Sequence, residues 1–320
     1  MKFENIEAFH ALRDYVYFCA ASYEERSLVA AQNVGRLHAP EKTYIFHAVD
    51  CCELVDRAVL KLSAVFPSSK LVETHLDNPL LTARNIIAAV LEVASLGKKD
   101  VLIDITTFTH EQLLIMLRTL LMNSAGLGNI CCVYAHSGEY SYGEAGTQKW
   151  LSKGCKEIRT VIGYPGLMIP GRSTTLVILS GFEYERAATV ISEMEPDRLV
   201  IGTGLSEDGE GCAHQRSMRE FQRLIREFCA MRSNVEEFEF SSQDVICAEK
   251  ACRHALSKCT DSNVVVIPMN TKLSTLALAR LALKNEAIQV CYAQPTSYNV
   301  AAYSTPGDKL TFLKMFPCVK

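Results

Sequence analysis

Short apolar runs alternate along this chain with longer stretches whose apolar positions recur at helical spacing. That alternation is what a parallel sheet covered by helices looks like in sequence. In the first half, strands are predicted at 15–20, 43–47, 71–75, 101–105 and 130–134, and helices at 24–36, 52–65, 80–96 and 110–123. The helix at 52–65 carries Leu54, Val55, Ala58, Val59 and Leu62 on one face, and the run 101–105 is continuously apolar apart from Asp104. The second half repeats the order: strands at 175–179, 198–201, 235–240, 264–267 and 288–292, helices at 183–194, 214–231, 244–258 and 273–284.

Local landmarks recur with the pattern, which points to an internal duplication. After the first strand of each half comes an aromatic and acidic turn that ends in Glu-Arg, at Ser22-Tyr-Glu-Glu-Arg26 and at Phe182-Glu-Tyr-Glu-Arg186. A polar, Thr-containing turn follows each fourth strand, at Thr106-Thr-Phe-Thr-His110 and at Asn270-Thr-Lys272. The fifth strands end alike, in Tyr134-Ala-His-Ser-Gly-Glu-Tyr140 and Tyr292-Ala-Gln-Pro-Thr-Ser-Tyr298. The predicted fold is therefore α/β: two tandem Rossmann-like lobes, each a mainly parallel five-stranded sheet with helices on both faces. The lobes are expected at 1–148 and 174–320, with a Pro- and Gly-containing structured connector at 149–173. The stretch from Lys309 to Phe316 is read as the counterpart of the stretch around Trp150.

With 320 residues and 48% hydrophobic composition, each lobe can bury a core of ordinary size. Net charge is −3 and no Lys/Arg run marks a phosphate track, so direct nucleic-acid binding is disfavoured. No apolar run reaches membrane-spanning length and the start does not resemble a signal peptide, so a cytoplasmic protein with no membrane partner is expected. The thirteen cysteines include two vicinal pairs, Cys51-Cys52 and Cys131-Cys132, but no C-x-x-C and no paired Cys/His spacing. They read as reduced thiols used as small hydrophobes, with no metal site and no cofactor expected.

Ligands of open parallel sheets bind beyond the carboxyl ends of the strands, where helix N-termini present free N–H groups. All three recurring turns belong to that edge. Arg26 and Arg186 there could hold a phosphate or carboxylate, or could equally tie the fold together through ion pairs. Thr107 and Thr109 follow Asp104 ahead of a helix and suit an anion or a helix cap. Asn270 and Thr271 occupy the same place in the second half, followed by Lys272, a cation that opposes the helix dipole in the first turn. Tyr134 and Tyr292 could stack on a base, or simply pack with wet hydroxyls. His136, matched by Gln294, could serve general acid–base chemistry with Asp104 or Glu111. Two glycine-bearing stretches are rejected as nucleotide loops. Gly166 to Ser173 has Arg where a P-loop needs Lys and precedes a strand, and Gly202-Thr-Gly204 follows the wrong strand for a dinucleotide fingerprint.

The strand-turn-helix Val264-Val-Val-Ile-Pro-Met-Asn-Thr-Lys272, continuing to a strand that ends in Tyr292, resembles CRISPR-associated Rossmann-fold (CARF) sensor domains. In that family a Gly-Thr-Lys-like turn after the fourth strand helps hold a cyclic oligonucleotide between paired domains. Thr271 and Lys272 match, and Asn270 stands where Gly is usual. The first-half turn from Thr106 to His110 matches in place but lacks the Lys. The resemblance implies a paired-domain nucleotide sensor in bacterial defence.

The leading expectation is thus binding of a nucleotide or other anionic small molecule, read out to a separate effector or complex subunit. A phosphodiesterase or ring-nuclease-type enzyme on the same cleft is one alternative, with His136 or Lys272 near the scissile phosphate. A non-catalytic structural subunit of a protein complex is the other.

Overall fold

The computed structural model describes residues 1–140, 150–181, 183–205 and 213–315, without the side chains of 213–219. In chain order the first half contains β1 (Lys2–Glu4), α1 (Ile6–His10), β2 (Val16–Ala20), α2 (Arg26–Leu37), β3 (Lys42–Ala48), α3 (Glu53–Val65), β4 (Lys70–Thr74), α4 (Pro79–Ser95), β5 (Lys99–Asp104), α5 (His110–Met122) and β6 (Leu127–Tyr140). Then come β7 (Ser152–Lys153), β8 (Glu157–Pro165), β9 (Thr174–Ser180), α6 (Tyr184–Met194), β10 (Arg198–Leu205), α7 (Ala213–Phe228), β11 (Val235–Ser241) and α8 (Val245–Leu256). The chain continues through β12 (Asn263–Pro268), α9 (Lys272–Ala282), β13 (Ile288–Gln294), β14 (Ser297–Tyr298) and β15 (Ser304–Lys314). Each strand and helix read from the periodicity is present, displaced at its ends by a few residues.

The chain divides into two compact units, Met1–Tyr140 with Ser304–Lys320, and Ser141–Tyr303. In the first, a seven-stranded sheet runs β1-β15-β6-β5-β2-β3-β4. Its strands β6, β5, β2, β3 and β4 pair in parallel, as the unbroken apolar runs of the central ones imply. Tyr17, Cys19, Ile45, Leu102 and Val133 project to one face, where Ala30 and Val34 of α2 and Ala58 and Leu62 of α3 cover them. The alternate residues Phe18 and Phe46 face the other side, where the Phe46 and Phe108 rings meet with centroids 5.4 Å apart. In the second unit a six-stranded sheet runs β11-β10-β9-β12-β13-β8, its first five strands parallel and in the same relative order. Leu176, Ile178, Ile201, Val265 and Ile267 pack there against Val190 and Ile191 of α6 and Phe221 and Ile225 of α7.

The boundaries differ from those expected, and the difference is systematic. The segment 149–173 is more than a connector: β8 pairs antiparallel with β13 as the sixth strand of the second sheet. The last strand does not complete the second lobe. β15 pairs antiparallel with β6, placing Leu310 opposite Ala135 and Phe312 opposite Val133 in the first sheet. Each parallel sheet thus carries an antiparallel strand on its fifth strand, β8 drawn from the expected connector and β15 from within the expected second lobe. The physical reason is the open edge of a fifth strand, whose unpaired N–H and C=O groups need a partner. Pairing also explains why β6 runs on to Tyr140 through the polar residues Ser137 to Glu139. At the bulge in that pairing, Gly307 lies so close to β6 that a Cβ would sit 2.8 Å from the His136 carbonyl oxygen. Among the described residues, no helix is long and apolar enough to cross a membrane.

The topology fixes where a ligand crevice can open. In the first sheet β3 and β4 lie to one side of β2, and β5 and β6 to the other. The strand order therefore reverses between β2 and β5, and in the second sheet between β9 and β12. Outside the carboxyl ends of such strand pairs, neighbouring loops diverge and leave a crevice. The helices that start there are α2 and α5 in the first unit, α6 and α9 in the second.

Candidate functional site

Arg26 begins α2 at the first switch point, and its side chain turns inward. It is 3% exposed, and the Nε–H donates to Glu24 Oε2 at 3.0 Å and to Ser304 Oγ at 2.9 Å. The terminal nitrogens donate to Glu24 Oε2 at 2.5 Å, to the Ala135 carbonyl at 3.0 Å and to the Tyr134 hydroxyl at 3.4 Å. Ser304 in turn donates to Glu24 at 2.6 Å, and the Tyr134 and Tyr140 hydroxyls lie 3.2 Å apart. The guanidinium carbon sits 5.9 Å and 5.5 Å from the centroids of those two rings. Burial opposes the arginine's charge. Glu24 and the two tyrosines outweigh it and hold the group well above its ordinary pKa.

The second unit repeats this cluster. Arg186, 4% exposed, pairs with Glu183, and Glu183 is hydrogen-bonded by Ser152. The Tyr292 and Tyr298 hydroxyls lie 3.0 Å apart. Burial again opposes the charge, and Glu183 with Tyr298, Tyr292 and Tyr303 raises the Arg186 pKa in spite of it. The serines occupy matched places: Ser304 is the register partner of Tyr140, and Ser152 that of Tyr298. One difference is that the Arg186 Nε has no hydrogen-bond partner among the described residues, whereas the Arg26 Nε has two. The sequence pointed to the arginines and tyrosines. It did not point to Ser152 or Ser304, whose intervals from the matched tyrosines differ. Only the sheet pairing shows that they are equivalent.

The fourth-strand turns work largely as internal fasteners. Thr107 Oγ donates to the Ala20 carbonyl at the end of β2, at 2.9 Å. In the second unit Asn270 Nδ2 donates to the Ser180 carbonyl at the end of β9, at 2.6 Å. Both bonds cross the switch point and set its floor. Thr109 caps α5 in a reciprocal box with Gln112, and Thr271 caps α9 by accepting from the Ser274 N–H. Thr271 Oγ also donates to the Ser242 carbonyl at 2.8 Å. Lys272 follows as the first residue of α9, and no acidic residue stands in that first turn. His136 bonds Thr311 Oγ through Nε2 at 2.8 Å, and Thr311 donates to Glu4 at 2.8 Å. The Asp104 carboxyl, by contrast, takes its hydrogen bonds from Tyr17 and Thr106.

The floors of the two switch points differ in charge. Asp104 ends β5 and is 1% exposed, whereas β12 ends in Pro268. Burial pushes Asp104 up to about 6, against the opposing pull of Thr106, Tyr17 and Arg26. Because the folded state holds this proton more tightly than the unfolded chain, stability falls as pH rises from about 4 to about 6 and stays lower above. The loss for this group is about 3 kcal/mol. Asp104→Asn keeps an acceptor for Thr106 and carries no charge. Its urea midpoint should equal the parent's near pH 4 and exceed it near pH 7.5. A variant no more stable than the parent at the higher pH would refute the assignment.

No protein-family model matches the chain, and no curated protein matches it. Partial likenesses occur among solved structures. Can2 from Sulfobacillus thermosulfidooxidans, solved in complex with cyclic tetra-adenylate, is 16% identical with a TM-score of 0.31. That match covers 42% of this chain and 37% of the Can2 chain. The cytoplasmic domain of a prokaryotic cation chloride cotransporter is 10% identical over 90% of this chain and 98% of that one, at a TM-score of 0.29. A short-chain dehydrogenase/reductase structure from Sinorhizobium meliloti 1021 is 8% identical over 87% and 95%, at 0.23. Likenesses at this level carry no functional argument, and the assignment to two Rossmann-like units rests on the order and direction of the strands described above.

Proposed function

We propose that the protein binds an anionic small molecule of the nucleotide class at the carboxyl edge of the second sheet and relays its presence to a separate protein. The observation that supports this reading is the composition of the switch point between β9 and β12. The N-terminus of α9 opens there, with Thr271 as its cap, Lys272 in its first turn and Pro268 where the first unit has a buried carboxylate. A helix N-terminus and a cation together favour an anion, and the crevice outside a switch point is where such sheets take ligands. At the first switch point, the Asp104 carboxylate makes anion binding less favourable. The sensor role in bacterial defence that the CARF resemblance implies belongs to this proposal.

The test is a thermal-shift panel of mononucleotides and of linear and cyclic oligoadenylates, with the parent and Lys272→Gln. A ligand at a hundred times its Kd stabilises by about 2.7 kcal/mol. The parent should gain several degrees, and Lys272→Gln should lose most of the gain while melting normally without ligand. A shift that Lys272→Gln leaves intact would move the site elsewhere.

A second reading is favoured by the saturation of Arg26. If the recurring clusters serve only to fix the fold, the protein is a structural subunit of an assembly. A parent that folds cooperatively yet shifts with no nucleotide would support that.

A further inference from the structure

Two cysteine pairs are adjacent in sequence, and the fold treats them in opposite ways. Cys131 and Cys132 lie in β6, both fully buried, with side chains on opposite faces of the sheet. Cys51 and Cys52 lie in the loop between β3 and α3, both half-buried, with sulfurs 3.9 Å apart. Two fixtures hold that loop. Asp50 accepts the Leu76 and Asp77 N–H groups, and both cysteines rest against the apolar layer beneath α3. Cys52 is the N-cap of α3 in extended conformation, with no side-chain cap bond.

The spacing decides what the pair can do. A disulfide needs sulfurs about 2.05 Å apart and Cα atoms usually at least 4.4 Å apart, whereas one trans peptide separates neighbouring Cα atoms by about 3.8 Å. Oxidation would therefore strain the backbone. Two sulfurs bonded at about 2.3 Å to one tetrahedral centre lie roughly 3.8 Å apart, and a pyramidal trivalent centre, with its narrower angle, holds them somewhat closer. The Cys51–Cys52 sulfurs, 3.9 Å apart, are well outside disulfide range and within a small side-chain rotation of a bridge through a third atom. Among the described residues no group of three metal-ligating side chains forms, so the pair would have to hold its guest with two sulfurs.

We infer that Cys51 and Cys52 form a dithiol site for a soft trivalent metalloid of the arsenical class. With an organic arsenoxide the step is a condensation. Two S–H bonds and the arsenic–oxygen double bond break, two arsenic–sulfur bonds form, and the oxygen leaves as water with both protons. Nothing is oxidised or reduced. Burial, reinforced by Cys52, pushes the Cys51 thiol up to about 12, so that thiol rests protonated at neutral pH. The condensation carries that proton away in the water it releases.

The experiment treats the full chain with equimolar phenylarsine oxide and follows it by intact mass and peptide mapping. The expected product is a single phenylarsenic on the peptide holding Cys51 and Cys52, stable to excess 2-mercaptoethanol and removed by 2,3-dimercaptopropanol. Cys51→Ser and Cys52→Ser, each checked for an unchanged melt, should yield adducts that the monothiol strips. An absent adduct, an adduct on other cysteines, or a parent adduct as monothiol-labile as the single variants would overturn the assignment.

Discussion

Removing the chain from Ser304 onward should unfold the first unit, although the cut lies beyond every strand of its parallel sheet. The removed segment brings Leu310 and Phe312 of β15 and Met315 just after it, all fully buried, and the Ser304 hydroxyl that bridges Arg26 and Glu24. Burying each large side chain is worth about 1.5–3 kcal/mol. Their loss, with exposure of the β6 edge and a weakened ion pair, approaches the whole stability of an ordinary domain, about 5–15 kcal/mol. The second unit keeps β8 on its fifth strand and should stay folded. Hydrogen exchange reads the two outcomes separately. Amides of β2, β5 and β6 should lose protection while those of β9, β12 and β13 keep theirs. A peptide spanning 304–315, added in trans, should restore the lost protection. Full protection of β6 in the truncated chain would show that β15 is dispensable.

That dependence also shows how far the sequence could be read. Strand and helix existence was legible because the parallel strands, buried on both faces, are unbroken apolar runs such as 101–105, and the helices carry a stripe at helical spacing. The duplication was legible in the Glu-Arg turns and in the paired tyrosines of each fifth strand. The antiparallel strands β8 and β15 were not. β8, Glu157–Pro165, fully buries only Val161 and Tyr164 and carries interrupting Arg and Thr, and its partner β13 lies more than a hundred residues away. Periodicity reports local structure, whereas strand pairing at such separation is a tertiary choice.

The candidate site was legible to the same degree. Arg26 lies beside Tyr134 in the first unit, and Arg186 beside Tyr292 in the second. The Arg26 guanidinium, however, spends its donors on Glu24, Ser304, Tyr134 and the Ala135 carbonyl. Ser304 stands 278 residues from Arg26, so no spacing argument could separate an anion contact from an internal ion pair. The turn hydroxyls Thr109 and Thr271 likewise cap helices. Lys272, set in the first turn of α9, is the sequence-derived residue on which the ligand reading now most depends.

The Glu24–Arg26 pair provides the sharpest discrimination between a structural and a ligand-binding cluster. Both side chains are more than nine-tenths buried. Breaking such a pair from one side leaves an uncompensated buried charge and costs about 3–5 kcal/mol, whereas replacing both members by apolar residues is often nearly neutral. Glu24→Gln and Arg26→Met should each lower the unfolding free energy of the first unit, read from urea titration, by an amount in that range. The double variant should recover most of the loss. Two single losses that simply add would mean that the pair is not coupled. The Glu24→Gln variant carries a second test, because it leaves the Arg26 charge without its carboxylate. If the cluster is a fastener only, added phosphate should change the variant and the parent alike. If the fold can admit an anion beside Arg26, phosphate should restore the variant selectively, at concentrations where sodium chloride of equal ionic strength does not. Selective rescue would make the first cluster an anion site closed by its own glutamate. Its absence would leave the second sheet, with Lys272 as the proposed contact, as the place to look for anion binding.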